Sequence, residues 1–191
     1  MPLIIGLTGE KLSGKGAASD YLSLKYRAKH YRFSLILDDI ASRLYLPKTR
    51  DNLIDIALAL RSKFGNEILA HVLKKDIENE KPDICIVDGM RYFEEYNILS
   101  TLSNFYLISI TAPLEVRYQR ALERQEKVDE INMSLDDFKK QEMAATEIAI
   151  TELNKKADFQ INNTGDVSEL HTKIDEIMND LNTKIKINAG N

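Results

Sequence analysis

Short apolar runs alternate along this chain with stretches that carry apolar residues at three- and four-residue spacing. The first run, at about 3–8, contains Leu3-Ile4-Ile5-Gly6-Leu7. Others lie near His30–Ser34, at Ile84–Asp88, at Phe105–Thr111 and at Asp158–Asn162. Each is too short for a helix and rich in β-branched or aromatic residues, so each predicts a strand. Helical patterns fill the intervals: 15–26, 35–45 (ended by Pro47), Asp51–Asn79 with a break at Gly65, 93–102, 113–127 and 167–182. Ser134 and Asp137 form an S-x-x-D start signal for a helix running to about 155, after a connection at 128–133. The tail from 184 to 191 is expected to fray.

Strands that alternate with helices imply βαβ units around a parallel sheet. With 191 residues the chain suffices for one such core, and no repeat or linker marks a second domain. One domain over 1–183 is expected, with an acceptor-side insert at about 35–80 and a lid at about 113–133. The 26 basic residues are outnumbered by 30 acidic ones, so no basic field speaks for nucleic acid. Cys85, the single cysteine, lies inside Ile84-Cys85-Ile86-Val87 and reads as core filling. No secretory segment and no membrane-length apolar run is visible, which predicts a soluble, cytoplasmic protein that does not bind membranes.

The chemistry begins where the first strand ends. Gly9, Gly14 and Lys15 have the spacing of G-x-x-x-x-G-K, and a helical pattern follows. Glycines let main-chain N–H groups close around phosphate oxygens, the new helix contributes its positive end, and the lysine adds a mobile charge. Gly16 stands where a hydroxyl usually follows the lysine, so a Mg²⁺ ion here would need more water ligands. A glycine-rich turn that binds nothing is the plain alternative.

Asp88 ends a second apolar run, at the strand edge that faces the ligand crevice in open α/β sheets. It is the candidate metal residue, with a turn cap as the alternative. Arg91 follows and points to the same cleft, unless Glu94 or Glu95 takes it as a surface ion pair. Arg117, Arg120 and Arg124 share one helical face, a stripe suited to transferring phosphates or to pairing with nearby glutamates. In the insert, Arg43, Arg50 and Arg61 are candidates for offsetting the charge of an anionic acceptor. Asp38 or Asp39 could hydrogen-bond its hydroxyl. His30, His71 and His171 show no ligand spacing, and Tyr21, Tyr26 and Tyr31 read as packing residues.

These residues resemble the P-loop nucleoside and nucleotide kinases. GLTGEKLSGKG resembles the first strand and loop of dephospho-CoA kinases, and its GKG ending resembles adenylate kinases. VDGMR resembles the DG-x-x-R region of nucleoside monophosphate kinases. ITAPLEVRYQRALER resembles their strand and arginine-bearing lid helix, and ADFQINNTGDVSELHTKIDEI their closing strand and helix. Asp88, Gly89, Met90, Arg91 and Glu95 match a DG-[IM]-R-x-x-x-E segment of a dephospho-CoA-kinase-like group with archaeal members.

The resemblance implies a three-layer α/β/α P-loop fold with a five-stranded parallel sheet in the order 2-3-1-4-5. It implies γ-phosphoryl transfer from ATP with Mg²⁺ to a small nucleotide-like acceptor, either a nucleoside or deoxynucleoside monophosphate or dephospho-CoA. Carried over by position, Gly9, Glu10, Lys11, Leu12, Ser13, Gly14, Lys15, Gly16 and Ala17 would wrap the ATP phosphates. Asn163 would lie near the base. Lys15, Asp88, Arg120 and Arg124 would be catalytic, with Asp88 at the metal. Asp38, Arg50, Arg61 and Arg91 would serve the acceptor. A nucleotide-binding ATPase or sensor with no metabolite acceptor is the rival reading. The protein is expected to act as a monomer or homodimer.

Overall fold

The computed structural model describes residues 2–124, 134–142 and 145–189. Five strands form one parallel sheet: β1 (Leu3–Thr8), β2 (Lys29–Arg32), β3 (Ile84–Asp88), β4 (Phe105–Thr111) and β5 (Phe159–Asn162). Their order is β2-β3-β1-β4-β5, as the sequence predicts. β1 is central and all six of its residues are buried, which explains its unbroken apolar character.

Side chains alternate across the sheet, and two cores result. Leu3, Ile5 and Leu7 join Ile86, Ile108 and Ile110 beneath α1 (Lys15–Tyr26) and α9 (Val167–Ala189). Ile4, Cys85, Val87 and Leu107 face the other way. There they meet α2 (Phe33–Arg43), α3 (Arg50–Phe64), α4 (Ile68–Glu80), α5 (Phe93–Leu99) and α8 (Ala145–Lys155). Between β4 and α8 lie α6 (Leu114–Arg124) and α7 (Leu135–Glu142). Cys85 is fully buried, and burial pushes its thiol up to about 12, as suits a packing residue.

Several boundaries differ from the sequence expectation. The second strand stops at Arg32 because Phe33, Leu37 and Ala41 fall at helical spacing and all three are buried, so Phe33 opens α2. The 93–102 pattern yields a helix only to Leu99, followed by tight turns. The 134–155 pattern appears as α7 and α8, capped at its start by the Ser134 hydroxyl, which accepts from Asp137 N–H at 3.1 Å. The last helix runs past 182 to Ala189, propagated from Leu181, which is fully buried. The connection at 128–133 lies outside the described residues. Among those described, no helix is long and apolar enough to cross a membrane.

The tyrosines behave as packing residues. Tyr21 and Tyr26 of α1 both donate to Asp175 of α9, at 2.9 and 2.7 Å, and Tyr31 is buried on β2. These bonds fix α1, and with it the loop at the amino end of α1, against the last helix.

Candidate functional site

The loop after β1 is shaped by what its backbone must do. Gly9 and Gly14 have φ of +138° and +113°, and Leu12 takes the left-handed region at φ +64°. At Gly9 a Cβ would lie 1.9 Å from the Ile110 carbonyl oxygen. At Gly14 it would lie 2.3 Å from the Asn163 amide nitrogen. The Leu12 side chain packs with Leu114, Tyr118, Ala121 and Phe138 of α6 and α7, which holds it in this conformation.

The loop carbonyls are held by side chains one after another. Lys15 Nζ donates to Gly9 O at 2.8 Å and Glu10 O at 2.9 Å. Arg117, buried between Ala112 and the loop, donates to Ala112 O at 2.8 Å and to Lys11 O at 3.5 Å. Arg120 donates to Leu12 O and Ser13 O, both at 3.3 Å. Its other nitrogen reaches Asn163 O at 3.0 Å and Gly165 O at 3.3 Å. Asn163 Nδ2 donates to Ser13 O at 2.8 Å. Carbonyls engaged in this way hold the shape of the loop up to the start of the first helix, and within it Ser13 N–H donates to Glu10 O at 3.2 Å. There α1 begins at Gly14 with no side-chain cap and no acidic residue in its first turn, so its positive end is left for an anion.

Three polar atoms beside this cradle are buried without a hydrogen-bond partner: Thr8 Oγ1, Ser13 Oγ and Asp88 Oδ1. Asp88 ends β3 next to β1, opposite Leu7 in the register, and is half-buried. An orphaned carboxylate oxygen at that edge fits a metal-bound water. Gly16 is exposed and a Cβ there would meet nothing within 4 Å, so the missing hydroxyl is not a steric exclusion. Ala17 is half-buried in the same turn.

His30, on β2, carries a buried Nε2 with no hydrogen-bond partner. Burial holds its pKa below 6.5. Asp88 and Asp20 oppose that shift and Arg32 reinforces it. A histidine depressed in the folded state binds fewer protons than in the unfolded chain, so its contribution is present above about 6.5 and is lost as pH falls below that value. Urea unfolding of wild type should therefore show falling stability from pH 7.5 to pH 5.5, and His30→Gln should flatten that slope.

The predicted acceptor residues divide into two groups. Arg61 and Arg91 meet at Glu95, which is fully buried. Its carboxylate accepts from Arg61 at 2.8 Å, from Arg91 N–H at 2.7 Å and from Tyr92 N–H at 3.2 Å. The Arg61 guanidinium lies 4.5 Å from the centre of the Tyr92 ring. Asp38 is half-buried on α2 and Arg50 is exposed at the start of α3. Among the described residues, no hydrogen bond or ion pair joins their side chains to that assembly. The Arg124 side chain lies outside the described residues.

The sequence reading missed Asn154 altogether and did not single out Glu95 or Arg117. Glu95 was visible as a motif match and as an ion-pair alternative for Arg91. Asn154 of α8 donates to Glu10 Oε1 at 3.0 Å, a contact no local pattern announces. Arg117, equal in spacing to Arg120, is distinguished only by being buried.

No protein-family model matches the chain. It is 27% identical over 176 residues to a UPF0200 protein of Sulfurisphaera tokodaii, spanning 92% of this chain and 95% of that one. In three dimensions it is similar to TT1252 from Thermus thermophilus, with a TM-score of 0.65 and 17% identity over 96% of this chain and 97% of that one. It is also similar to shikimate kinase from Bacteroides thetaiotaomicron, with a TM-score of 0.62 and 12% identity over 94% and 98% of the two chains. At such identities these likenesses show the fold alone, a five-stranded parallel sheet in the order β2-β3-β1-β4-β5 flanked by helices.

Proposed function

We propose that this protein is an ATP- and Mg²⁺-dependent kinase that phosphorylates a small, nucleotide-like, anionic acceptor. The observation that carries the reading is the run of loop carbonyls from Gly9 to Ser13, each engaged by a side chain of the protein. Such a loop is held in one shape before any phosphate arrives, and the rearrangement that binding would ask of it centres on the release of Lys15 from Gly9 O and Glu10 O. When bound, MgATP supplies the transferable phosphoryl group and the charge that bridges its oxygens. Lys15 would exchange two neutral carbonyls for phosphate oxygens, a stronger charge-assisted partner. Asp88 would orient metal-bound water through its unpartnered oxygen. Arg120, already tied to the loop and to Asn163 and Gly165, keeps the cradle in shape. Arg61 and Arg91, which meet at Glu95, would serve the acceptor from the same end of the sheet as Asp88.

The test is turnover. ATP or GTP is offered with each nucleoside or deoxynucleoside monophosphate and with dephospho-CoA, following diphosphate release. Turnover that depends on one acceptor supports the kinase. The ATPase or sensor reading is kept by Gly16 and Ala17, which leave the first turn of α1 without a hydroxyl. Acceptor-independent hydrolysis would favour it.

Gly16→Ser bears on the same point. The open space at Gly16 accepts the side chain, and leaving glycine at an exposed helical position gains about 0.5 kcal/mol. Calorimetric titration with ATP is expected to show tighter binding in magnesium than wild type and no change in EDTA.

A further inference from the structure

Glu95 is a carboxylate with no exposed surface, in a part of the fold where the chain had cheaper options. Burial pushes its pKa up, against the Arg91 amide, Arg61 and the Tyr92 amide, which hold the charged form. Burying an ion pair yields little net stability compared with apolar packing, so stability alone does not account for it. Its place at the third position of α5 explains the bonds from the Arg91 and Tyr92 amides as a helix cap. A cap needs no more than that. It does not need Arg61, which reaches across from α3, 34 residues earlier, lies against the Tyr92 ring and leaves its own Nε buried without a partner.

The two sets of bonds belong to different functional parts. Arg91 and Tyr92 close the turn that leaves Asp88 through Gly89, whose φ is +93°. Arg61 belongs to the insert between β2 and β3. We propose that Glu95 is a positioning residue of the transfer site: it locks the Asp88–Tyr92 turn to α3, so that the metal-side carboxylate and the acceptor-side helix keep one fixed separation. This rests on the kinase reading for its purpose, but its geometry can be tested apart from it.

The experiment uses the full chain, with wild type, Glu95→Gln and Arg61→Gln, and a non-hydrolysable ATP analogue titrated in magnesium and in EDTA. If the lock holds Asp88, Glu95→Gln keeps the EDTA affinity of wild type and loses about tenfold of the affinity gained with magnesium. Arg61→Gln leaves the cap intact and loses part of that gain, so it serves if Glu95→Gln does not fold. A purely structural glutamate would leave the ratio of magnesium to EDTA affinity unchanged in both variants, and that result overturns the proposal.

Amide exchange of the same proteins separates this failure from failure of the kinase reading. If wild type binds no analogue, or gains nothing from magnesium, the kinase reading fails. The lock is then judged on exchange alone. Arg91 and Tyr92 amides about tenfold faster in Arg61→Gln, which keeps the cap, with β1 and β4 unchanged, support it; exchange equal to wild type in that variant overturns it.

Discussion

Lys15→Ala is expected to cut phosphoryl transfer by about 100-fold or more while the fold survives. Lys15 is half-buried at the mouth of the loop, and its ammonium holds Gly9 O and Glu10 O. Both bonds lie within the loop and the first residue of α1, so their loss leaves the packing of the sheet and helices in place. Its stem does not belong to either core. Thermal melting should therefore stay near wild type, while nucleotide titration shows a large loss of affinity. Unchanged turnover in this variant would refute the placing of the phosphate site at the amino end of α1.

Gly9→Ala is expected to act through stability instead, with a loss of about 3 kcal/mol or more. The Cβ would stand 1.9 Å from the Ile110 oxygen and 2.9 Å from its carbonyl carbon. Both are backbone atoms of a strand whose side chain is fully buried, so nothing flexible can move aside. The φ of +138° adds a second penalty for any residue with a side chain. Denaturant unfolding should show the midpoint falling steeply, in contrast to Gly16→Ser, seven residues away, where a Cβ meets open space. Equal midpoints for Gly9→Ala and wild type would mean that the loop and β4 are not packed as described.

The strands were legible because burial on both faces demands continuous apolar runs, and Leu3–Thr8 and Phe105–Thr111 have them. Their order followed from the crossover rule and the position of the phosphate loop. Boundaries were less legible where one residue serves two patterns. Phe33 extends an apolar strand run and also opens the Phe33-Leu37-Ala41 stripe, and packing on the far core decided for the helix. In the site, Gly9, Gly14 and Lys15 could be read because their roles are local. Asn163 could be placed only by likeness and Arg120 only as one of a helical stripe, since what they touch lies more than 40 residues distant in the chain. Glu95 was hidden for the same reason. A glutamate in Tyr-Phe-Glu-Glu-Tyr looks like a solvated helix start until Arg61 is seen beside it.

Asn163 closes the loop from a position 150 residues later. Arg117 and Arg120 also come from beyond the middle of the chain, and Phe138 from further still. A growing polypeptide on the ribosome would thus display the glycine-lysine signature almost at once, yet possess no formed cradle until its fifth strand had emerged. Under the proposed function, nucleotide capture would wait for the closing part of the chain, and the nucleotide would not act as a template for the early steps.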